Sequence, residues 1–287
     1  MSAYPRHALL AEHEPSMVVR SCCDSTKPLL LVCEHAGVGV PESLSNAYPE
    51  SLLSSHYGCD IGAGKLARAL SERLQASAVL AHYSRLVIDA NRRLDDPTLL
   101  LGTANGEPVA ANIDLPAIDI DARIQDLYVP FHAAVEAELQ RLTAVGPPPL
   151  YVAIHSFTPH LADQGRPWHV GVMWDQDEQT ARHVINGLRA HDGIVVGDNQ
   201  PYSGRASEDF SIDYHAERNG FANVALEIRQ DLLATDSQVA TWVARLLPLI
   251  ESLLVRSETQ TNDALAVREF RPDVLTFESA ARQWLAS

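Results

Sequence analysis

Three apolar runs along the chain each stop on a polar residue able to bind a metal or move a proton. They are Leu30-Leu31-Val32-Cys33-Glu34-His35-Ala36-Gly37, Tyr151-Val152-Ala153-Ile154-His155-Ser156-Phe157 and Val224-Ala225-Leu226-Glu227-Ile228-Arg229. Runs of this length bounded by turn residues read as strands buried on both faces. In open α/β sheets, ligands bind in the crevice at the carboxyl ends of such strands. Two histidines, a glutamate and an arginine are therefore expected on one rim, a combination that suggests hydrolysis at a metal-bound water.

Between these runs the pattern alternates. Residues 1–27 read as an irregular lead-in. A helix follows Asp60, with Leu66, Leu70 and Leu74 at helical spacing and Asp60 at the N-cap place. Extended segments are predicted from Ala78 to Tyr83 and from Arg85 to Ala90, ending on Asn91-Arg92-Arg93. Residues 94–119, rich in Asp, Pro, Asn, Thr and Gly, form a long excursion of the kind that carries function. A helix carries Ile120, Ile124, Leu127, Phe131, Val135, Leu139 and Leu142, and Gly146-Pro147-Pro148-Pro149 stops it. Beyond the His155 strand come a strand at Trp168 to Trp174, a helix near Gln176 to Ala190 and a short strand at Ile194 to Val196. The turn-rich stretch Gly197 to Gly204, including Asn199 and Tyr202, could line a site. A short helix near Ile212 to Asn219 precedes the Glu227 strand. Helices after Thr235 and from Val274 to Leu285 close the chain. This alternation predicts an α/β fold, a mixed but mostly parallel sheet with helices on both faces. With no repeat and no clean linker, one domain over residues 1–287 is expected.

Composition narrows the function. A chain of 287 residues with 46% hydrophobic positions supports a large single core. A net charge of -15 argues against a nucleic-acid surface. The arginines beside the apolar runs instead suit an acidic small molecule. No uninterrupted run of 18 apolar residues occurs, and Met1 to Glu14 lacks an apolar signal core, so neither a membrane span nor a leader is expected. The four cysteines (Cys22, Cys23, Cys33, Cys59) form neither a disulfide framework nor paired CxxC units. Reduced thiols in a cytoplasmic protein follow.

His35 and His155 close two core strands and Asp60 opens a helix toward the same rim, which makes a His₂–carboxylate zinc site. The competing reading gives Asp60 a capping role and the histidines backbone partners. Glu227 is costly to bury unless paired or functional; it is either a general base or one half of an ion pair with Arg229, which shares its strand face. Arg85, Asn91 and Arg92 could hold a carboxylate, with Arg92 also placed to stabilise an oxyanion, or could lie on a solvated loop. Among the remaining histidines His215, upstream of the Glu227 strand, is the best further candidate. No GxSxG elbow, Walker loop or GxGxxG fingerprint occurs.

Six ordered stretches resemble the N-formylglutamate amidohydrolase family: Glu34-His35-Ala36-Gly37, Asp60-Ile61-Gly62-Ala63, Ser84 to Arg92, His155-Ser156-Phe157-Thr158-Pro159, Asp198-Asn199-Gln200-Pro201-Tyr202, and Glu227-Ile228-Arg229-Gln230-Asp231-Leu232. They span roughly residues 29–255. The resemblance extends distantly to zinc carboxypeptidases and aspartoacylases, and so implies zinc at strand ends, a catalytic glutamate and an Asn-Arg pair that handles substrate. Carried over, His35 and His155 are zinc ligands, with Asp60 in the acidic ligand's place. Glu227 is the general base and acid. Arg85, Asn91, Arg92 and Arg229 bind carboxylates or the oxyanion. Two departures stand out: Val38 replaces the glutamate of a His-x-x-Glu motif, and Glu34 stands where the better-known deformylases have proline.

The leading expectation is therefore zinc-dependent hydrolysis of an N-acyl amino acid, with N-formyl-L-glutamate as first candidate. An amidase or carboxypeptidase acting on cell-wall peptide fragments predicts a broad groove. A non-catalytic binder of acidic small molecules predicts binding without turnover or stoichiometric metal.

Overall fold

The computed structural model describes residues 8–161, 164–205 and 210–261. Seven strands form one sheet: β1 (Val18–Ser21), β2 (Leu29–Cys33), β3 (Ser77–Ala81), β4 (Leu150–Phe157), β5 (Val170–Met173), β6 (Val196–Asp198) and β7 (Asn223–Arg229). Their order is β1-β3-β2-β4-β7-β5-β6. The central four, β3, β2, β4 and β7, are mutually parallel. β1 runs against β3 at one edge, and β5 runs against β7 at the other, with β6 parallel to β5.

The central strands are apolar on both sides because both faces are covered. Side chains of period two are sent alternately to two cores. Leu31, Val152, Ile154 and Leu226 join the core beneath α1 (Ala63–Leu74), α3 (Glu178–Arg189) and α5 (Asp236–Thr261). Leu30, Val32, Tyr151, Ala153 and Ala225 join the core beneath α2 (Val129–Val145) and α4 (Phe210–His215). The same parity places Glu34, His155 and Glu227 on the α2/α4 face, at the carboxyl ends of three neighbouring strands.

α5 contains a span, Asp236–Val255, that is long and apolar enough to cross a membrane, with hydropathy 1.3. No uninterrupted run of 18 apolar residues exists there, but the average is high because one face is committed to the core through Val239, Trp242, Val243, Leu246 and Ile250. Trp242 is 1% exposed. Trp242→Ala is expected to cost about 3–5 kcal/mol through lost burial and the cavity left behind, read as a lower midpoint in urea unfolding.

Several local expectations are corrected. The lead-in holds β1, whose Val18 and Val19 pair with Ala81 and Leu80. Arg85 to Ala90 is a turn-rich loop, not a strand. The Ser84 hydroxyl accepts from Leu86 N–H, and the Asp89 carboxylate accepts from Asn91 N–H; such side-chain bonds displace a ladder. Asp60 does not cap α1: the N-cap is Gly62, at φ +82°, where no side chain accepts a hydrogen bond from the helix. The strand expected at Ile194 to Val196 lies two residues later, and the helix from Ile120 to Leu142 passes through a π-helical turn at Ile124–Tyr128. The helix expected at Val274 to Leu285 lies outside the described residues.

Candidate active site

β2 ends beside Glu34 and His35, and β4 carries His155 opposite Glu227 of β7 in the parallel register. The loop entering α1 returns to this rim because Asp60 N–H donates to the His35 carbonyl oxygen at 2.9 Å. The Asp60 carboxylate then lies 2.8 Å from His155 Nδ1 and accepts from Ser156 N–H at 3.2 Å. His35 Nδ1 lies 3.5 Å from the same carboxylate oxygen. Ligand atoms of His35, Asp60 and His155 all fall within 4.8 Å of one another, and all three residues are buried.

Both rings are fixed from behind. His35 Nε2 donates to Asp89 Oδ1 at 2.7 Å, and Arg85 clamps the other Asp89 oxygen at 2.6 and 3.0 Å. His155 Nε2 lies 3.3 Å from Glu34 Oε2. The Tyr151 hydroxyl lies between Glu34, at 3.4 Å, and Ser211, at 3.0 Å. A hydrogen-bonded carboxylate behind His35 fixes ring orientation and raises ligand basicity, as in metal sites generally, and Glu34 sits behind His155 as a charge partner. The two rings thereby turn the same nitrogen, Nδ1, toward Asp60.

The electrostatics ask for a cation. Glu34, Asp60 and Asp89 surround two imidazoles, with the Arg85 guanidinium paired to Asp89 and Arg92 adding charge from farther off. Burial raises the Asp89 carboxyl, but Arg85 and His35 outweigh it and hold it well below the usual carboxylate range. Glu34 is likewise raised by burial yet brought down to about 2, chiefly by the hydrogen bond and charge of His155. Burial disfavours a charged His155, but Asp60 and Glu34 prevail and raise it well above its ordinary value. Three buried carboxylates around two imidazoles are stable only while cations counter them, whether protons on the rings or a bound metal. His35 Nδ1 is buried with no hydrogen-bond partner. The 2.8 and 3.5 Å separations bracket the roughly 3.3 Å edge of a tetrahedron with bonds near 2.0 Å. The triad fits a divalent metal.

These residues open into a cleft of about 560 Å³. Arg85, Asn91, Arg92, Tyr202 and Glu227 line it, together with His56, Thr98, Leu101, Phe157, Thr158 and Met173. Glu227 is 6% exposed. Asn91 Oδ1 accepts from Ser211 N–H at 2.9 Å, and the Tyr128 hydroxyl donates to the Arg92 carbonyl oxygen at 2.6 Å, which fixes the Asn91-Arg92 backbone. Thr98 and Leu101 come from the 94–119 excursion. Tyr202 reaches the cleft because Gln200-Pro201 crosses the sheet over Gly171 and Gly197, where a Cβ on either would overlap the Gln200 carbonyl oxygen.

Three expected residues are not in the cleft wall. Arg229 shares Glu227's strand face, but its guanidinium turns to Asp231 at 2.7 Å, so the Glu227–Arg229 ion pair is not the arrangement found. Asn199, at φ +51°, shapes its own loop by bonding Trp174 and Gly204. His215 is buried against His132, with ring nitrogens 2.8 Å apart. Burial, then the charges of His132 and Arg218, lowers its pKa well below the ordinary value, so it is neutral at pH 7. Conversely, Asp89 and Glu34 take part in the site although the sequence assigns neither a role there, and His56, a weak signal among the twelve histidines, lines the cleft. Asp89 stood inside the Arg85 to Arg92 run, and Glu34 beside His35; adjacency was the available signal.

The family model for N-formylglutamate amidohydrolase matches residues 27–234, more than half of the chain. The chain belongs to the N-formylglutamate amidohydrolase family. An N-formylglutamate deformylase of Pseudomonas aeruginosa is 31% identical over 150 residues, which cover 43% of this chain and 56% of that protein. The match thus spans little more than half of that relative's length. The crystal structure of a gene product from Agrobacterium tumefaciens superposes with a TM-score of 0.81 at 30% identity, covering 88% of this chain and 99% of the other. That of an N-formylglutamate amidohydrolase from Ralstonia eutropha gives 0.64 at 20% identity over 86% and 100%, a likeness of fold. Within the family frame, residues 27–234 hold all four of His35, Asp60, His155 and Glu227.

Proposed function

We propose that the protein hydrolyses the amide bond of N-formyl-L-glutamate to L-glutamate and formate, with zinc held by His35, Asp60 and His155. The observation that carries this is the convergence of that triad with Glu227 in one buried rim of a small cleft. Zinc, when bound, supplies Lewis-acid polarisation and a water acidic enough to react near neutral pH.

The chain's own residues do the rest. Glu227 accepts the proton of the attacking water and delivers it to the departing amine nitrogen, so the C–N bond breaks without expelling an amide anion. Arg92 offers N–H donors to the oxygen that gains charge at the formyl carbon. Asn91, held by Ser211, binds the amino-acid end. Arg85 keeps Asp89, and hence His35, in place while lending positive potential to the cleft. A volume of about 560 Å³ suits a small N-acyl amino acid and not the broad groove that a cell-wall peptide requires. The cytoplasm is the compartment in keeping with four free cysteines.

Metal analysis of the purified protein paired with formate release tests the reading. About one zinc per chain and formate production that falls to background with chelator and returns with zinc are expected. Metal-free protein with undiminished turnover would overturn the zinc assignment; zinc-loaded protein releasing no formate would overturn the substrate.

A further inference from the structure

We infer that Arg166, packed behind the cleft-lining Tyr202 and Phe157, binds the side-chain carboxylate of a dicarboxylic N-acyl amino acid and sets the preference for an acidic substrate. The inference rests on the proposed amidohydrolase reading and adds to it the residue that selects the substrate's side chain.

The cleft needs a cation for a second carboxylate, and the arginines in and beside it are unequally available: Arg92, in the cleft wall, is already assigned to the oxyanion. Arg85 is bound to Asp89 by two donors, and Arg229 is bound to Asp231 by two. Arg166 has no carboxylate partner among the described residues. Its guanidinium lies 4.9 Å from the Tyr202 ring centre and 5.8 Å from that of Phe157, both cleft-lining residues. One of its nitrogens donates to the Tyr202 hydroxyl at 3.0 Å and to the Thr158 carbonyl oxygen at 3.5 Å. A guanidinium has five N–H donors in a planar fork, so most of its donors are left for a ligand.

Its backbone is held as well. Arg166 N–H donates to the Pro159 carbonyl oxygen at 2.8 Å, and the Arg229 guanidinium donates to the Arg166 carbonyl oxygen at 3.4 Å. Arg229, which the fold takes away from the cleft, therefore supports the residue that packs on its Tyr202 wall. The fork is preorganised by two aromatic faces and a hydroxyl, which lowers the cost of fixing a long side chain on binding. His56, a cleft residue, is depressed first by burial and then by the charges of Arg166 and Arg85, which places both cations within electrostatic reach of the same space. An acidic side chain entering beneath Tyr202 exchanges water for a charge-assisted, two-pronged contact.

The test compares N-formyl-L-glutamate with its neutral isostere N-formyl-L-glutamine on zinc-loaded full-length protein, for wild type, Arg166→Gln and Arg166→Lys. Glutarate binding by calorimetry supplies a readout that needs no turnover. In Arg166→Gln, KM for formylglutamate is expected to rise about 10- to 100-fold. The loss should fall on KM more than kcat, the glutamate-over-glutamine preference should collapse, and Arg166→Lys should recover part of it. Wild type that cleaves formylglutamate, with a preference unmoved in Arg166→Gln, overturns the inference and leaves the reaction standing. Wild type that does not cleave formylglutamate but binds glutarate in an Arg166-dependent way overturns the substrate and supports this site. Absence of both turnover and Arg166-dependent glutarate binding overturns both.

Discussion

Glu227→Gln is expected to lower kcat on N-formyl-L-glutamate by about 10²- to 10⁴-fold while zinc content stays at the wild-type level. Glutamine keeps the shape of the side chain and an oxygen acceptor, but its amide cannot take a proton from water at neutral pH. Glu227 is paired in register with His155 one strand away and lines the same cleft, yet the triad of ligand atoms is complete without it. Proton transfer and metal retention therefore separate in this one variant. Rapid-quench or steady-state formate release, beside metal analysis of the same preparation, checks both halves. Undiminished kcat removes Glu227 from the proton path; lost zinc makes it a ligand.

His155→Ala is expected to reduce zinc content and formate release to background and to destabilise the fold by about 3–5 kcal/mol. The size of the effect comes from what is left behind. Asp60 loses a 2.8 Å bond and Glu34 its 3.3 Å partner, and both carboxylates remain in the interior. Removing one member of a buried charged cluster costs far more than removing an exposed one, because the survivors cannot reach water. Urea unfolding with chelator present in both proteins isolates this term from the contribution of metal binding. A variant that keeps stoichiometric zinc and the wild-type midpoint contradicts the assignment of His155.

How much of this could be read from the chain depends on whether the signal was periodic. Leu29–Cys33, Leu150–Phe157 and Asn223–Arg229 stood out because each is an unbroken or nearly unbroken apolar run, which only a strand covered on both faces requires. His35 and His155 stood out because a polar side chain that closes such a run is costly to bury without a ligand or a partner. The loop at Ser84 to Asn91 misled because Leu86, Val87 and Ile88 look like a strand, while Ser84 and Asp89 compete for the same backbone groups. Glu34 was noticeable only as a departure, and its role was unreadable for a different reason. It neighbours His35 in sequence but serves His155, and that pairing exists only once β2 lies beside β4. Asn199 and Arg229 had the right chemistry in the right segments, but closer partners, Trp174 and Asp231, claimed them.

Gly171 and Gly197 carry a consequence beyond their own positions. The segment bearing Tyr202 rests on bare backbone at both, with no room for even a methyl group. The distance between that tyrosine and the floor of the cleft is thus set by two missing side chains on strands that carry none of His35, Asp60 and His155. Alanine at Gly197 would lift the roof and widen the entrance for bulkier acyl groups, whereas alanine at Gly171, paired in register with Glu227, would also press on the strand that carries that carboxylate.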